Sequence, residues 1–304
     1  MHSPKIVILG AGAVGSVIGA HLEKSGTHVL LINRHISHIR ACMTGLHISG
    51  YQDFTVQCPL GTDDAAEIAA YPSIDTIVVA TKAQATLVAL SRLPADRDFR
   101  MVSAQNGLGT EKIITDHFPH APVARMVITF GAVLEGDGHV HLTGNESLNS
   151  IGPVSRGSES FSDEMADAFT HAGLCTQYNA DILSCVWEKT IINAAQNAPA
   201  ALYNATLGEL IDDHTKRELI EGIVNEAILV ARKDGACISG DFFSSCLYDF
   251  EMYRNHKPSM LQDVLAGRST EIDFINGAIV EKARKYGIPA PCNEKMVHDI
   301  KEMA

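Results

Sequence analysis

Short runs of Val, Ile and Leu recur through the first half of the chain, at 5–9, 28–33, 75–80 and 101–104. Each is closed by a polar or glycine-containing turn. That alternation with helical stretches predicts βαβ units, hence a parallel sheet covered by helices. Over 47–59 and 127–151 the apolar positions alternate over shorter distances and are interrupted by Gly136-Asp137-Gly138 and Gly144-Asn145. These segments predict antiparallel hairpins that extend or cap the sheet. Beyond about residue 178 the strand signals stop. The segments 181–197, 214–234 and 271–286 carry apolar residues at helical spacing, as with Ile272, Ile275 and Ile279 at i, i+3 and i+7.

A chain of 304 residues is long enough for two domains. The change of periodicity places their boundary so that one spans residues 1–179 and an all-α domain spans 180–304. The 46% hydrophobic and 20% charged composition is that of a globular protein. A net charge of -12 with no basic run argues against nucleic acid or an anionic membrane as partner, leaving small molecules. No apolar stretch has the length of a bilayer span, and the first residues carry no signal-peptide pattern, so a cytoplasmic protein is expected. The seven cysteines form no CxxC pair. The histidines show no metal-ligand spacing, His35/His38 and His117/His120 at i, i+3 having no obvious carboxylate partners. Neither a disulfide framework nor a metal is expected.

Gly10-Ala11-Gly12-Ala13-Val14-Gly15 matches GxGxxG directly between a predicted strand and a predicted helix. In that context the first glycine makes the turn, the second admits a pyrophosphate, and the third lets helix and strand pack closely. The amino-terminal domain is therefore expected to be an α/β Rossmann-type domain that binds a dinucleotide. At the end of the second strand, where an acidic residue would bond a ribose 2′-hydroxyl, the chain has Asn33-Arg34. A guanidinium there suits a 2′-phosphate and points to NADP, although a solvated arginine also satisfies the pattern. Lys82 and Asn106-Gly107 follow two further strands at positions that could reach the cofactor; a solvated lysine and a plain turn are the plainer alternatives.

In the helical half, Lys189, Asn193 and Asn197 stand at i, i+4 and i+8, giving a stripe of donors about 12 Å long at ~1.5 Å rise per residue. The alternative is a solvent-facing stripe. Pro199 is expected to bend or end this helix. Ser259 and Gln262 read as a capping box, and Glu271 as a first-turn carboxylate of the next helix.

These stretches, together with Trp187-Glu188, Leu207–Leu210, Ser259–Asp263 and Thr270–Gly277, resemble the ketopantoate reductase family over nearly the whole chain. The resemblance implies hydride transfer from NADPH to a 2-oxo acid, ketopantoate, in pantothenate and coenzyme A synthesis. By it, Lys189 is the general acid, and Glu271 orients the lysine or bonds substrate and cofactor. Asn106, Asn193, Asn197 and Ser259 hold the substrate. Gly10, Ala11, Gly12, Ala13, Val14, Gly15, Arg34 and Lys82 hold the cofactor, with Asn106 at the junction, and a homodimer is in keeping with the family. Two departures bear on the substrate: Asn197-Ala198-Pro199-Ala200-Ala201 stands where many members have Asn-Pro-Leu-Thr-Ala, and His256 stands nearest a substrate-binding asparagine. A reductase of another 2-oxo acid, a 3-hydroxy-acid dehydrogenase and a non-catalytic NADPH-binding regulator are the competing readings.

Overall fold

The computed structural model describes residues 3–144 and 148–303. The chain forms two compact units: the part up to Gln105 together with Thr110–Ile182, and Asn106–Gly109 together with the chain from Leu183 onward. In chain order the first contains β1 (Ile6–Leu9), α1 (Ala13–Lys24), β2 (Val29–Ile32), α2 (Ile36–Gly45), β3 (Leu46–Gly50), β4 (Phe54–Val56), β5 (Leu60–Thr62), β6 (Thr76–Val79), α3 (Thr86–Leu90), β7 (Arg100–Ser103), α4 (Thr110–His117), β8 (Val123–Val127), β9 (Gly131–Gly136), β10 (His139–Gly144), β11 (Asn149–Pro153), α5 (Glu159–His171) and β12 (Thr176–Tyr178).

The residues of β1, β2 and β6 are all buried, the signature of strands covered on both faces. Their alternation divides the core. Ile6 and Ile8 pack with Ile18, Leu22 and Phe169 on one face, and Val7 and Leu9 with Ile32, Ile77 and Phe99 on the other. Each such side chain contributes on the order of 1.5–3 kcal/mol by leaving water. The main sheet runs β12-β11-β8-β7-β6-β1-β2-β5. The neighbours from β5 to β8 are parallel; β11 pairs antiparallel with β8 and parallel with β12.

The expected additions extend that sheet only through β11, which joins it beside β8; the hairpins themselves stand apart from it. They form a second sheet, β4-β3-β10-β9. Within it β3–β4 and β9–β10 are antiparallel, but β10 lies parallel to β3, joining two hairpins far apart in sequence. The inward residues Leu46, Ile48, Val140 and Leu142 join the core cluster that contains Val17 and Ile18 of α1, so burying an apolar face is what assembles the sheet. Asn145 of the second expected turn lies outside the described residues.

The second unit is helical: α6 (Ile182–Tyr203), α7 (Leu207–Asp212), α8 (His214–Lys233), α9 (Phe242–Met252), α10 (Ser259–Leu265), α11 (Asn276–Tyr286) and α12 (Pro291–Glu302). Helix α6 is apolar on most faces, with Trp187, Ile191, Ala194, Ala195 and Ala198 buried. Pro199 does not end it: the helix continues to Tyr203. Buried Ala198, Ala200 and Ala201 hold this last turn by packing, against the loss of one backbone donor. The expected single helix over 271–286 is interrupted. Ile272–Phe274 is one 3-10 turn, Ile275 adopts φ -106°, ψ -95°, and α11 starts at Asn276, yet Ile272, Ile275 and Ile279 are all buried.

Candidate active site

In the first unit the glycine loop joins β1 to α1. The carboxyl ends of β1 and β6, neighbours in the sheet, form the point where the strand order reverses. Gly10 has φ +101°, and a side chain there would stand 2.5 Å from the Thr81 nitrogen at the end of β6. A Cβ on Gly15 would run into the Gly10 carbonyl. A Cβ on Gly12 would meet nothing within 4 Å, so the open side of the loop is at Gly12. Gly12 is also the N-cap of α1 and supplies no side-chain cap, leaving the first helical N–H groups available to an anion. Two glycines needed for closeness, one facing open space and an uncapped helix end fit a dinucleotide pyrophosphate.

Asn33 is committed to the loop: its Nδ2 donates to the Ala11 carbonyl at 2.6 Å and its Oδ1 accepts from His35 N at 3.0 Å. Arg34 is exposed at the end of β2, its Nε donating to the His35 ring at 3.3 Å. Lys82 is exposed, just before the 3-10 turn Ala83–Ala85. Just after β7, the buried Gln105 donates back to Thr81 O (2.8 Å) and Thr86 Oγ1 (2.7 Å), which follow β6. Buried Arg125 on β8 binds the Gln105 carbonyl, Ser103 and Thr110. These bonds fix the strand ends from which the next loop departs.

That loop, Asn106–Gly109, belongs to the helical unit. Gly107 has φ +81°, and a Cβ would collide with the Phe274 backbone; Leu108 N donates to the Phe274 carbonyl at 2.8 Å. The structure thus brings Asn106-Gly107 against the 3-10 turn that follows Glu271, two stretches far apart in the sequence. Glu271 is buried and precedes that turn, its carbonyl accepting from Phe274 N and Ile275 N. It is not in the first turn of an α-helix.

On α6, Asn193 and Asn197 are buried, 4% and 2% exposed, which rules out the solvent-facing alternative for that stripe. Lys189 is half-buried as a residue, between them and the start of the helix. Burial pushes the Lys189 pKa down, and the Asp249 carboxylate on α9 opposes that shift. Asp249 is itself raised by burial, against the pull of Lys189. His256 is lowered by burial of its ring and then by the Lys189 charge, although the residue as a whole is exposed. Asp249 is a partner that sequence spacing could not supply. Its only local signal is its place beside Cys246 and Phe250 on the inward side of α9.

The stripe is held by residues that sequence reasoning also missed. Asn276 Nδ2 donates to the Ala194 carbonyl on α6 (3.3 Å) and to Asn293 Oδ1 (3.1 Å), and Asn293 is bonded to Glu226 (2.8 Å). Asp234 accepts from Trp187 Nε1 at 3.0 Å, from Lys282 Nζ at 2.8 Å and from the Tyr286 hydroxyl. The expected capping box at Ser259 is not formed. Pro258 is the N-cap, Ser259 is exposed, and Gln262 Nε2 donates instead to the Lys257 carbonyl at 2.9 Å. The proline φ at 258 sets the helix entry, so no hydroxyl cap is needed. A full capping box lies elsewhere, between Thr206 and Glu209. Among the described residues no group of three His, Cys, Asp or Glu is placed to hold a metal, and no helix is long and apolar enough to cross a membrane.

A nucleotide-fitting loop on a doubly wound sheet, with a separate helical unit carrying a lysine and buried asparagines, defines a Rossmann-type oxidoreductase. The ketopantoate reductase PanE/ApbA family matches residues 6–156, and its C-terminal family matches 181–304. The chain belongs to the ketopantoate reductase family. It is 34% identical to the 2-dehydropantoate 2-reductase of Pyrococcus abyssi over 95% of this chain and 94% of that one. With the Archaeoglobus fulgidus enzyme of the same name it shares 30% identity over 98% and 97%. Among solved structures it resembles a D-mandelate dehydrogenase in complex with NADH and anilino(oxo)acetate, with a TM-score of 0.89, 28% identity and coverage of 98% and 97%. It also resembles the PanE/ApbA family ketopantoate reductase of Ralstonia eutropha JMP134, with a TM-score of 0.87, 26% identity and 98% coverage of both chains.

Proposed function

We propose that this chain is a cytoplasmic NADPH-dependent 2-dehydropantoate 2-reductase that makes pantoate for pantothenate and coenzyme A synthesis. The observation that carries the reading is the burial of Asn193 and Asn197 in line with Lys189, a costly arrangement that a small polar substrate would repay. The bound nicotinamide supplies the hydride. The chain's own part is to hold the 2-oxo acid through Asn106, Asn193, Asn197 and Ser259 and to place the Lys189 ammonium at the ketone oxygen. There it polarises the carbonyl and gives its proton to the alkoxide as the carbon is reduced, so that one hydride and one proton convert C=O to CH–OH. Burial makes that proton easier to give, and Asp249 keeps it in place beforehand. Glu271 orients the acid or the bound ligands. Arg34, with no carboxylate at the end of β2, supports NADPH over NADH, and Lys82 adds a cation on the same unit.

The likeness to a D-mandelate dehydrogenase, and the Asn255-His256-Lys257-Pro258 stretch, which departs from the family pattern before Ser259, favour a second reading: a reductase of a different 2-oxo acid on the same residues. Oxidation of NADPH by the purified protein with ketopantoate, pyruvate, 2-oxoisovalerate or benzoylformate, each repeated with NADH, separates the two. Preference for ketopantoate with NADPH supports the first. Turnover of a control substrate instead moves the assignment to that acid. NADPH binding without turnover of any substrate would make the chain a non-catalytic regulator. Arg34→Ala should weaken NADPH far more than NADH, by the ~1.5–3 kcal/mol of a hydrogen bond to a charged group; equal losses would remove the 2′-phosphate assignment. Lys189→Ala should abolish most of kcat while NADPH affinity stays near normal.

A further inference from the structure

His38 lies on α2, outside every residue assigned above, and is 1% exposed. Its Nδ1 stands 3.1 Å from the backbone nitrogen of Gly138, in the turn between β9 and β10. A backbone N–H can only donate, so Nδ1 carries the lone pair and the proton of the neutral ring is on Nε2. Nε2 lies 2.9 Å from Ser16 Oγ and 3.5 Å from Cys42 Sγ. With Ser16 Oγ accepting from the ring, its own proton is directed to the Ala11 carbonyl, 3.3 Å away. The bonds form one directed chain: Gly138 N–H to His38, His38 to Ser16, Ser16 to Ala11. Ala11 is the second residue of the glycine loop, and the same carbonyl also receives Asn33 Nδ2.

We infer that His38 is a positioning residue for the dinucleotide loop, tying the Ala11 carbonyl through Ser16 to the Gly138 turn of the second sheet. The inference rests on the dinucleotide reading of that loop and adds to it a buried support on α2. The ring suits the task because it offers an acceptor on one side and a donor on the other. An apolar residue of similar size would leave the Gly138 N–H and the Ser16 hydroxyl without these bonds in a dry site. The Ser16 hydroxyl would then lose the ring that orients its proton towards the Ala11 carbonyl and be free to turn away from it. The second sheet thereby acquires a role beyond covering α1: its turn holds the far end of the support.

The test is the NADPH dissociation constant, read by nucleotide fluorescence, for the wild type and for His38→Leu, His38→Gln, Ser16→Ala and His21→Leu, each with a thermal melt. His21 is the control. It is equally buried in the same unit, but its ring bonds the Ala172 carbonyl at 2.9 Å rather than the loop. His38→Leu and Ser16→Ala are expected to bind NADPH about 5–10-fold more weakly, the effect of about one hydrogen bond. Their kcat at saturating NADPH and their KM for the oxo acid should stay within about twofold, on the same scale. His38→Gln, which keeps a donor towards Ser16, should recover most of the affinity, and His21→Leu should lose stability while its affinity is unchanged. Equal affinity in wild type, His38→Leu and Ser16→Ala would overturn the inference and leave the dinucleotide reading standing. So would equal loss in His21→Leu and His38→Leu. Absence of NADPH and NADH binding by the wild type would overturn the dinucleotide reading itself. If His38→Leu does not fold, Ser16→Ala decides.

Discussion

Replacing Asp234 with Ala removes the acceptor that anchors the start of α6 two residues from Lys189. Three donors lose their partner: the Trp187 indole, the Lys282 ammonium and the Tyr286 hydroxyl. They are not equivalent. Trp187 is 0% exposed, so its N–H has no recourse to water, and an unmade bond there costs about 1–3 kcal/mol. The Lys282 side chain is 31% exposed and that of Asp234 10%, so the ion pair, discounted for solvent, adds only about 1 kcal/mol. The sum is about 2–4 kcal/mol. With about 2.1 cal/mol/K of unfolding entropy per residue, spread over 304 residues, the melting temperature should fall by about 3–6 °C. Asp234→Asn should fall between wild type and Asp234→Ala, because one amide oxygen can still accept from Trp187 while the amide nitrogen faces donors. Trp187 is the chain's sole tryptophan, so its emission reports this site alone while circular dichroism follows the melt. Burial raises the Asp234 pKa, but the donations from Lys282, Tyr286 and Trp187 outweigh it and hold the carboxyl below its usual value. The stabilisation is therefore full above pH ~4 and lost as pH falls through the lower folded-state value. A melting temperature within about 1 °C of wild type, with unchanged emission, would refute the account of how α6 is anchored.

Asp249→Asn removes the charge that opposes desolvation of Lys189, so the lysine pKa falls further and the alkaline limb of the kcat profile should move to lower pH; an unmoved limb would separate Asp249 from Lys189. Gly15→Ala should damage folding and NADPH binding together, since its Cβ meets the Gly10 carbonyl, whereas Gly12→Ala should fold normally and lose NADPH affinity by about tenfold or more. Equal melting temperatures and equal binding for the two would contradict the assigned roles. His21 and His38 both have pKa values lowered chiefly by burial, so the unfolded chain binds the protons first. Stability should fall as pH drops below about 6.5, with a slope of up to ~1.4 kcal/mol per pH unit for each histidine, until the folded-state values are reached. Urea melts between pH 5 and 8 measure this, and a flat profile for wild type and a His21→Leu, His38→Leu double variant alike would count against it.

The elements that the sequence predicts best are those whose cause is local. Residues 5–9 and 28–33 read as buried strands because unbroken apolar runs fit only a sheet covered on both sides, and β1 and β2 follow. GxGxxG reads correctly because turn, close approach and helix start are all encoded within six residues. The separate second sheet is not legible in the hairpin segments, because the parallel pairing of β3 with β10 joins His47 to His139 and no local pattern carries such a register. The sequence of 271–286 reads as one continuous helix because its three isoleucines keep helical spacing. What breaks it is the docking of Leu108 on the Phe274 carbonyl, a contact between segments more than 160 residues apart.

The candidate site divides along the same line. Lys189, Asn193 and Asn197 could be placed on one face from spacing alone, but spacing is silent on whether that face is wet. The structure answers by burying both asparagines and tying α11 to the helix through Asn276. Asp249 is illegible in the sequence because it acts on Lys189 from a different helix, α9, and no motif or spacing links the two. The residues that do chemistry recur in readable stretches, whereas those that set their charge and position are recruited from wherever the chain passes. Asp249 beside Lys189 and His38 beneath the glycine loop are both of this second kind. Both supply what the readable residues lack: a counter-charge for a desolvated ammonium in one case, and a fixed carbonyl behind a flexible glycine turn in the other.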